Sequence, residues 1–283
     1  CIMVKRVFVL IAGLALLLAG CGSGGDNEGG NEAPEEKKEI NIGFGVGTYE
    51  DMVRNGIVPI LEEKGYDVKI TTFSQNMQVN PAMKEEAIDA SVFQSTAYME
   101  GINEELDMNM IGIAFVPSAP QGLYSVKHDS VEDVKDGMIV ALPNDPVNQE
   151  RAVRILEELG WVKVKEDAGT TDFNINSVEK GDYDIEFKIL DPAQILVSLQ
   201  DVDFGVVNGN YIASAKDWKI TDAVKIENTP KQHRIIVSIL EKDKDTQWAK
   251  DLKEAFESPE FEEYILGQEK YEGFIMPEAW ENN

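Results

Sequence analysis

The residues best suited to chemistry lie in the run Pro143-Asn144-Asp145-Pro146-Val147-Asn148-Gln149-Glu150-Arg151. An apolar stretch, residues 138–142, precedes it and reads as a buried strand. A helical repeat follows, with Ala152, Ile155, Leu156 and Leu159 spaced along one face. Asn148 is expected as the N-cap and Gly160 sits where a helix should end. Arg151 then falls in the first turn, where free amides favour an anion and a guanidinium can grip a carboxylate through two hydrogen bonds. Strand, polar loop and Arg-bearing helix start would form a cradle for a small carboxylate. The same residues also describe an ordinary strand-to-helix loop with a solvated Arg, and nothing within the run decides between the two.

The elements that would position this run are legible on either side. Ile40, Ile42 and Phe44 alternate as a strand, and Gly43, Gly45 and Gly47 follow it. These glycines do not make a dinucleotide fingerprint, because Thr48 stands where the third glycine belongs. They read as a tight turn before a helix over 50–64, with Tyr49 at its start as a candidate pocket residue and Gly65 as its stop. A strand over 68–72 completes a β-α-β unit, hence a parallel sheet. A short helix is expected over 81–87, then a strand over 90–93. That strand runs into Gln94-Ser95-Thr96-Ala97-Tyr98, so Phe93 and Tyr98 flank a polar loop at a strand's carboxyl end, where open α/β sheets bind ligands. Strands follow over 111–116 and 123–126. Ser130 and Asp133 form a capping box, and a second α/β unit then contains the opening run. Ile185, Phe187 and Ile189 alternate as a strand, and a helix covers 192–199. The strand over 203–207 ends in Asn208-Gly209-Asn210-Tyr211, whose amides offer donors and acceptors to a zwitterion, or simply make a turn. A strand over 235–240 and helices around Trp248–Phe256 and 260–266 close the chain. Extended joins near 123–126 and 224–235 suggest two lobes with a hinge, the first lobe completed by the last part of the chain.

Bulk properties exclude several functions. A net charge of −26 argues against nucleic-acid binding and against electrostatic adhesion to an anionic membrane. Cys1 and Cys21 give the body no disulfide framework, and His128 and His233 do not support a Cys/His zinc site. No metal or cofactor is expected. There is no G-x-S-x-G, no H-E-x-x-H and no cysteine nucleophile in the body, which disfavours a hydrolase. Lys5 and Arg6 precede an apolar stretch over 7–19 that ends Leu18-Ala19-Gly20-Cys21. This has the form of a bacterial lipoprotein signal, with Cys21 lipidated after removal of 1–20. Residues 22–38, rich in Gly, Asn, Glu and Pro, have the composition of a tether.

Taken in combination, several motifs resemble one family. These are Leu18-Ala19-Gly20-Cys21, Gly122-Leu123-Tyr124-Ser125, Pro143-Asn144-Asp145-Pro146 with Asn148 and Arg151, and Asn208-Gly209-Asn210-Tyr211, together with Asp89-Ala90 and Phe93-Gln94 with Tyr98. Across residues 39–280 the chain resembles the NlpA family of lipoproteins, the methionine-type substrate-binding proteins of ABC importers. The resemblance implies an α/β, two-lobed periplasmic-binding-protein-like fold of type II, each lobe a mostly parallel sheet flanked by helices, with a two-segment hinge. It places lobe 1 at 39–124 and 230–283 and lobe 2 at 125–229, after a signal peptide over 1–20 and a tether over 21–38. It implies that Arg151 clamps the α-carboxylate of one amino acid, that Asn148, Asn208 and Asn210 are polar partners, and that Tyr49, Phe93, Gln94 and Tyr98 line the pocket. Three positions depart from the family pattern: Ser95 replaces a His, Asn76 stands where the family has a Tyr, and His233 or Arg234 replaces an Asn. The expected ligand is therefore methionine or a related amino acid or short peptide. The expected partners are an ABC permease and its ATPase, the expected state is a monomer, and the expected place is the outer face of a bacterial cell membrane, held by lipid on Cys21. The alternative is an extracellular hydrolase processing peptides or amino acids.

Overall fold

The computed structural model describes residues 37–282; the expected signal peptide, Cys21 and all but the end of the expected tether lie outside them. The first unit opens with strand β1 (Glu39–Phe44), helices α1 (Tyr49–Gly56) and α2 (Val58–Glu63), and strand β2 (Asp67–Thr72), which pairs parallel to β1 with Ile42 opposite Ile70. The single helix expected over 50–64 is divided at Ile57. Pro59 has no N–H to donate to the preceding turn, so the helix breaks and restarts. Gly65, at φ +87°, ends it in a conformation that favours glycine. Helix α3 (Val79–Lys84), strand β3 (Ala90–Ser95), helix α4 (Thr96–Leu106) and strand β4 (Met110–Phe115) complete this part. Helix α4 corrects the expectation of a polar loop after residue 93: Ser95 caps it, accepting from the Tyr98 amide at 3.3 Å.

The chain then crosses to the second unit: β5 (Gly122–Tyr124), β6 (Ile139–Pro143), α5 (Pro146–Glu158), the hairpin β7 (Val162–Val164) and β8 (Val178–Lys180), β9 (Glu186–Leu190), α6 (Pro192–Ser198), β10 (Phe204–Val207), α7 (Gly209–Ser214) and β11 (Lys225–Ile226). It returns for β12 (Ile235–Leu240), α8 (Gln247–Glu257) and α9 (Pro259–Leu266). The first sheet has the order β2-β1-β3-β12-β4 and the second β11-β5-β10-β6-β9. Each is mostly parallel, four strands running one way and a single strand the other. The returning strand β12 runs antiparallel to β3 and β4, and β5 runs antiparallel to β10 and β11. Strand β5 also pairs in the second sheet, so residues 122–124 belong with that lobe and not with the first.

The two crossing segments lie side by side and are pinned to each other. The Val116 amide donates to the Ile235 carbonyl at 2.9 Å, the Ile235 amide to Ser118 Oγ at 2.7 Å, and the Glu227 amide to the Gln121 carbonyl at 2.9 Å. The core beneath the first sheet takes one stripe of α8, with Trp248, Ala249, Leu252, Ala255 and Phe256 buried as the helical period requires. That core continues into Ile195, Leu199 and Val207 of the second lobe. The second sheet has its own core around Leu142, Val153, Leu156, Trp161 and Phe204. The two lobes therefore share one continuous core along part of their boundary.

Candidate functional site

Helix α5 begins earlier than its sequence suggests. Asp145 is the N-cap, its Oδ1 accepting from the Asn148 amide at 2.9 Å, and Pro146 occupies the first helical position, where its missing N–H costs nothing. Asn148 is therefore the third residue of the helix and Arg151 the sixth, beyond the free amides of the first turn. The anion-attracting helix start expected around Arg151 is corrected; other side chains hold the Arg. Arg151 Nε and Nη2 donate to the two oxygens of Glu227 at 2.8 and 2.7 Å, and Nη1 donates to Asn148 Oδ1 at 3.3 Å. The two charged side chains are 5 % and 6 % exposed, so this is a buried ion pair. Burial pushes the Glu227 carboxyl up, but the Arg151 charge and hydrogen bonds from Arg151, Thr229 Oγ1 and the Gln121 amide outweigh it and leave Glu227 below its ordinary value. A guanidinium has five N–H donors. After these contacts one remains on each terminal nitrogen of Arg151.

The facing surface comes from both lobes. Asn208 starts α7 after β10 without capping it, and its Oδ1 instead accepts from Gln121 Nε2 at 2.8 Å. Asn210 Nδ2 crosses to the first lobe and donates to the Val46 carbonyl at 3.1 Å. The Val46 amide donates to Asn76 Oδ1 at 3.0 Å. The glycines flanking Val46 permit this approach: a Cβ on Gly45 would fall 1.9 Å from Asn76 Oδ1, and one on Gly47, at φ +139°, 2.6 Å from Asn210 Nδ2. Their role is close contact between backbone and two asparagines. On the remaining side, Phe93 and Tyr98 meet edge to face with centroids 6.0 Å apart, and buried Tyr49 accepts at Oη from the Ala119 amide at 3.4 Å. Burial raises the hydroxyls of Tyr49 and Tyr98, so both are neutral at physiological pH. Together these residues line a narrow cleft with about 40 Å³ of free space, bounded by Tyr49, Asn76, Phe93, Gln94, Ser95, Tyr98, Asn148, Arg151, Asn208 and Asn210, with Ala119 and Ile235 between them. One end is polar and built around a cation; the other is aromatic.

In comparison with known proteins, the chain matches the family model of the NlpA lipoproteins over residues 40–279. The chain belongs to the NlpA lipoprotein family. Among curated NlpA relatives, it is 27% identical to the methionine-binding lipoprotein MetQ of Bacillus subtilis over 279 residues, covering 96% of this chain and 98% of that one. It is 30% identical to the probable D-methionine-binding lipoprotein MetQ of Pasteurella multocida, covering 87% of this chain and 89% of that one. A nutrient-binding protein from Burkholderia cenocepacia, solved bound to methionine, superposes with a TM-score of 0.78 at 28% identity, covering 84% of this chain and 99% of that one.

Two of the residues named from the NlpA resemblance, His233 and Arg234, do not line the cleft, and Gln94 lines it with its amide already engaged. Gln94 is buried in the first sheet, accepting from Asn80 Nδ2 at 2.7 Å and donating to Ser238 Oγ at 2.9 Å, so its amide ties strands together. His233 lies behind Arg151, lining a separate space of about 270 Å³ with Glu150, Arg154 and Glu227. Its ring is buried, and burial with the Arg151 charge lowers it to about 4, so it is neutral at physiological pH. Arg234 turns outward and pairs with Glu278 at 3.0 Å. Sequence reasoning missed Glu227, Gln121 and Thr229. Glu227 lies 76 positions from Arg151, in an extended stretch with no periodicity, and only the fold brings the two together. Its one sequence signal was an acid placed in an expected hinge.

Proposed function

We propose that this protein is a lipid-anchored substrate-binding protein that captures methionine or a closely related amino acid between its lobes and delivers it to an ABC permease. The observation that carries the reading is Arg151, buried in the cleft wall with two N–H donors left on its terminal nitrogens and an aromatic pocket opposite. The two donors suit an α-carboxylate. Asn148, Asn208 and Asn210 surround the polar groups of the amino acid, and Phe93, Tyr98 and Tyr49 receive the side chain. The relatives named above support methionine as the reference ligand, and Ser95 and Asn76 at the aromatic end are the positions that tune it. Contacts from both lobes to one ligand favour the closed arrangement, which the permease and its ATPase then recognise. Among the described residues no helix is long and apolar enough to cross a membrane, so anchoring falls to lipid on Cys21. The protein acts as a monomer. The hydrolase alternative finds no support, since the relatives carry binding names.

The test is calorimetry on ligand-stripped protein with L- and D-methionine, other amino acids and methionine-containing dipeptides. One of them is expected to bind at micromolar Kd or tighter and to raise Tm in step with its affinity. Arg151→Ala should weaken that binding by at least about 100-fold, as expected for loss of a bidentate charged contact. Micromolar binding retained by Arg151→Ala would show that the anchor lies elsewhere.

A further inference from the structure

Gln121 does not line the cleft, yet its side chain reaches two residues that do. It lies in the first crossing segment and is buried, and its Nε2 donates to Asn208 Oδ1 at 2.8 Å and to the Asn148 backbone carbonyl at 3.3 Å. The packing there is tight. A Cβ on Gly209 would fall 2.3 Å from the Pro120 carbonyl oxygen, so the segment presses on the start of α7 beside Asn208. A backbone carbonyl can only accept, so the Gln121 atom turned toward Asn148 is its NH2 group. The Asn208 atom that meets the same group is therefore the oxygen, and Asn208 Nδ2 is left over. That Nδ2 makes no hydrogen bond among the described residues and is not sealed in the interior, so it is open to the cleft that Asn208 lines beside Arg151. Asn148 is fixed by the same logic but has nothing to spare. A guanidinium can only donate, so Asn148 meets Arg151 Nη1 with Oδ1 at 3.3 Å, and its Nδ2 goes to Asp145 Oδ1 at 3.0 Å. Aiming Gln121 in this direction leaves its own Oε1 buried without a partner, an arrangement that folded proteins rarely tolerate without a reason.

We propose that Gln121 is a positioning residue for ligand capture. It holds the Asn208 amide with Nδ2 toward the cleft, so that Asn208 donates to the ligand carboxylate in company with the N–H groups left on Arg151. This rests on the amino-acid reading above and names a residue outside the cleft on which that reading depends. An Asn208 amide turned over would point its oxygen at the carboxylate and repel it. The unpaired Gln121 Oε1 is the cost of preventing that rotation.

The experiment is a double-variant cycle read by calorimetry with methionine. Gln121→Met keeps the side-chain length and removes the donor together with the unpaired oxygen. Asn208→Ala removes the presented donor, and Asn208 makes no cap hydrogen bond whose loss would unravel α7. Each single variant should weaken methionine binding by about tenfold, the scale of one hydrogen bond to a charged group. The double variant should also be weaker by about tenfold and not by about 100-fold, because both changes remove the same contact. The Tm of ligand-free Gln121→Met should stay within about 3 °C of the wild type, since the orphaned acceptor leaves with the donor. Gln121→Leu and Asn208→Ser take the place of a variant that does not fold. Losses that multiply in the double variant, or Gln121→Met binding within about twofold of the wild type, would overturn the proposal. A wild-type protein that binds no amino acid would overturn the functional reading and this inference with it, whereas wild-type binding that Gln121→Met leaves intact overturns the inference alone.

Discussion

Removing the Glu227 carboxylate should damage the free protein before any ligand is considered. Glu227→Ala deletes two charge-assisted hydrogen bonds of 2.8 and 2.7 Å to a guanidinium that is 5 % exposed. It also strips the Thr229 hydroxyl and the Gln121 amide of their acceptor. Breaking one side of a buried pair typically destabilises by about 3–5 kcal/mol, because the surviving charge is left uncompensated. Here the space of about 270 Å³ that Arg151 and Glu227 both border can admit water to the orphaned guanidinium, which places the expected loss at the lower end, about 3 kcal/mol. Against a total of about 5–15 kcal/mol for a typical domain, such a loss is easily measured. Urea denaturation followed by tryptophan fluorescence supplies the assay, with Arg151→Ala and the double variant completing a cycle. A coupling energy of at least about 2 kcal/mol is expected between the two positions. A single-variant loss below about 1 kcal/mol would refute the reasoning, because it would mean that Arg151 is solvated and its contact with Glu227 contributes little.

Two further outcomes follow from the same geometry. His233 is held neutral in the fold, with its value lowered from 6.5 to about 4, so the unfolded chain binds the extra proton between these values. Stability contributed by this residue is complete above about pH 6.5 and is lost as pH falls toward 4; Glu227, held below 4.5, adds a loss that begins lower. Denaturation from pH 7 to 4.5 should show a fall for the wild type that His233→Gln reduces, and parallel profiles would count against a buried neutral ring. Gly47→Ala places a Cβ 2.6 Å from Asn210 Nδ2 at φ +139°, so it should loosen the contact between lobes, weaken ligand binding by about tenfold and destabilise the fold by about 1–3 kcal/mol. Calorimetry and thermal melts together check this, and unchanged affinity would show that the Val46 loop does not take part in closure.

The fold was legible wherever periodicity was strong. The alternation of Ile40, Ile42 and Phe44 and the stripe Trp248, Leu252, Ala255 and Phe256 became β1 and α8. Helix α4 was not legible, because the Gln94-Ser95-Thr96 stretch looks like loop until Ser95 is seen capping the turn that follows. The misplaced start of α5 has a related cause: Asn148 and Asp145 are both good caps, and Pro146 decides for the earlier one by fitting only the first turn. Gln94 shows a different limit. It lines the cleft beside Phe93 and Ser95, but its amide is spent on Asn80 and Ser238, which no local pattern foretells. The reversed strand β12 was recognised as a strand, yet its direction depends on where the chain returns from, which no local pattern records.

Glu227 has a double attachment with a mechanical consequence. Its side chain grips Arg151, while its backbone amide is pinned to the Gln121 carbonyl of the other crossing segment. Arg151, the proposed ligand anchor, is thus tied to both crossing segments. Gln121 adds a second tie, its Nε2 donating to Asn208 Oδ1 at 2.8 Å and to the Asn148 carbonyl at 3.3 Å, so the crossing segments fix the reach of the cleft side chains. Inserting or deleting one residue in the crossing segments would therefore detune ligand capture even with every cleft side chain left in place.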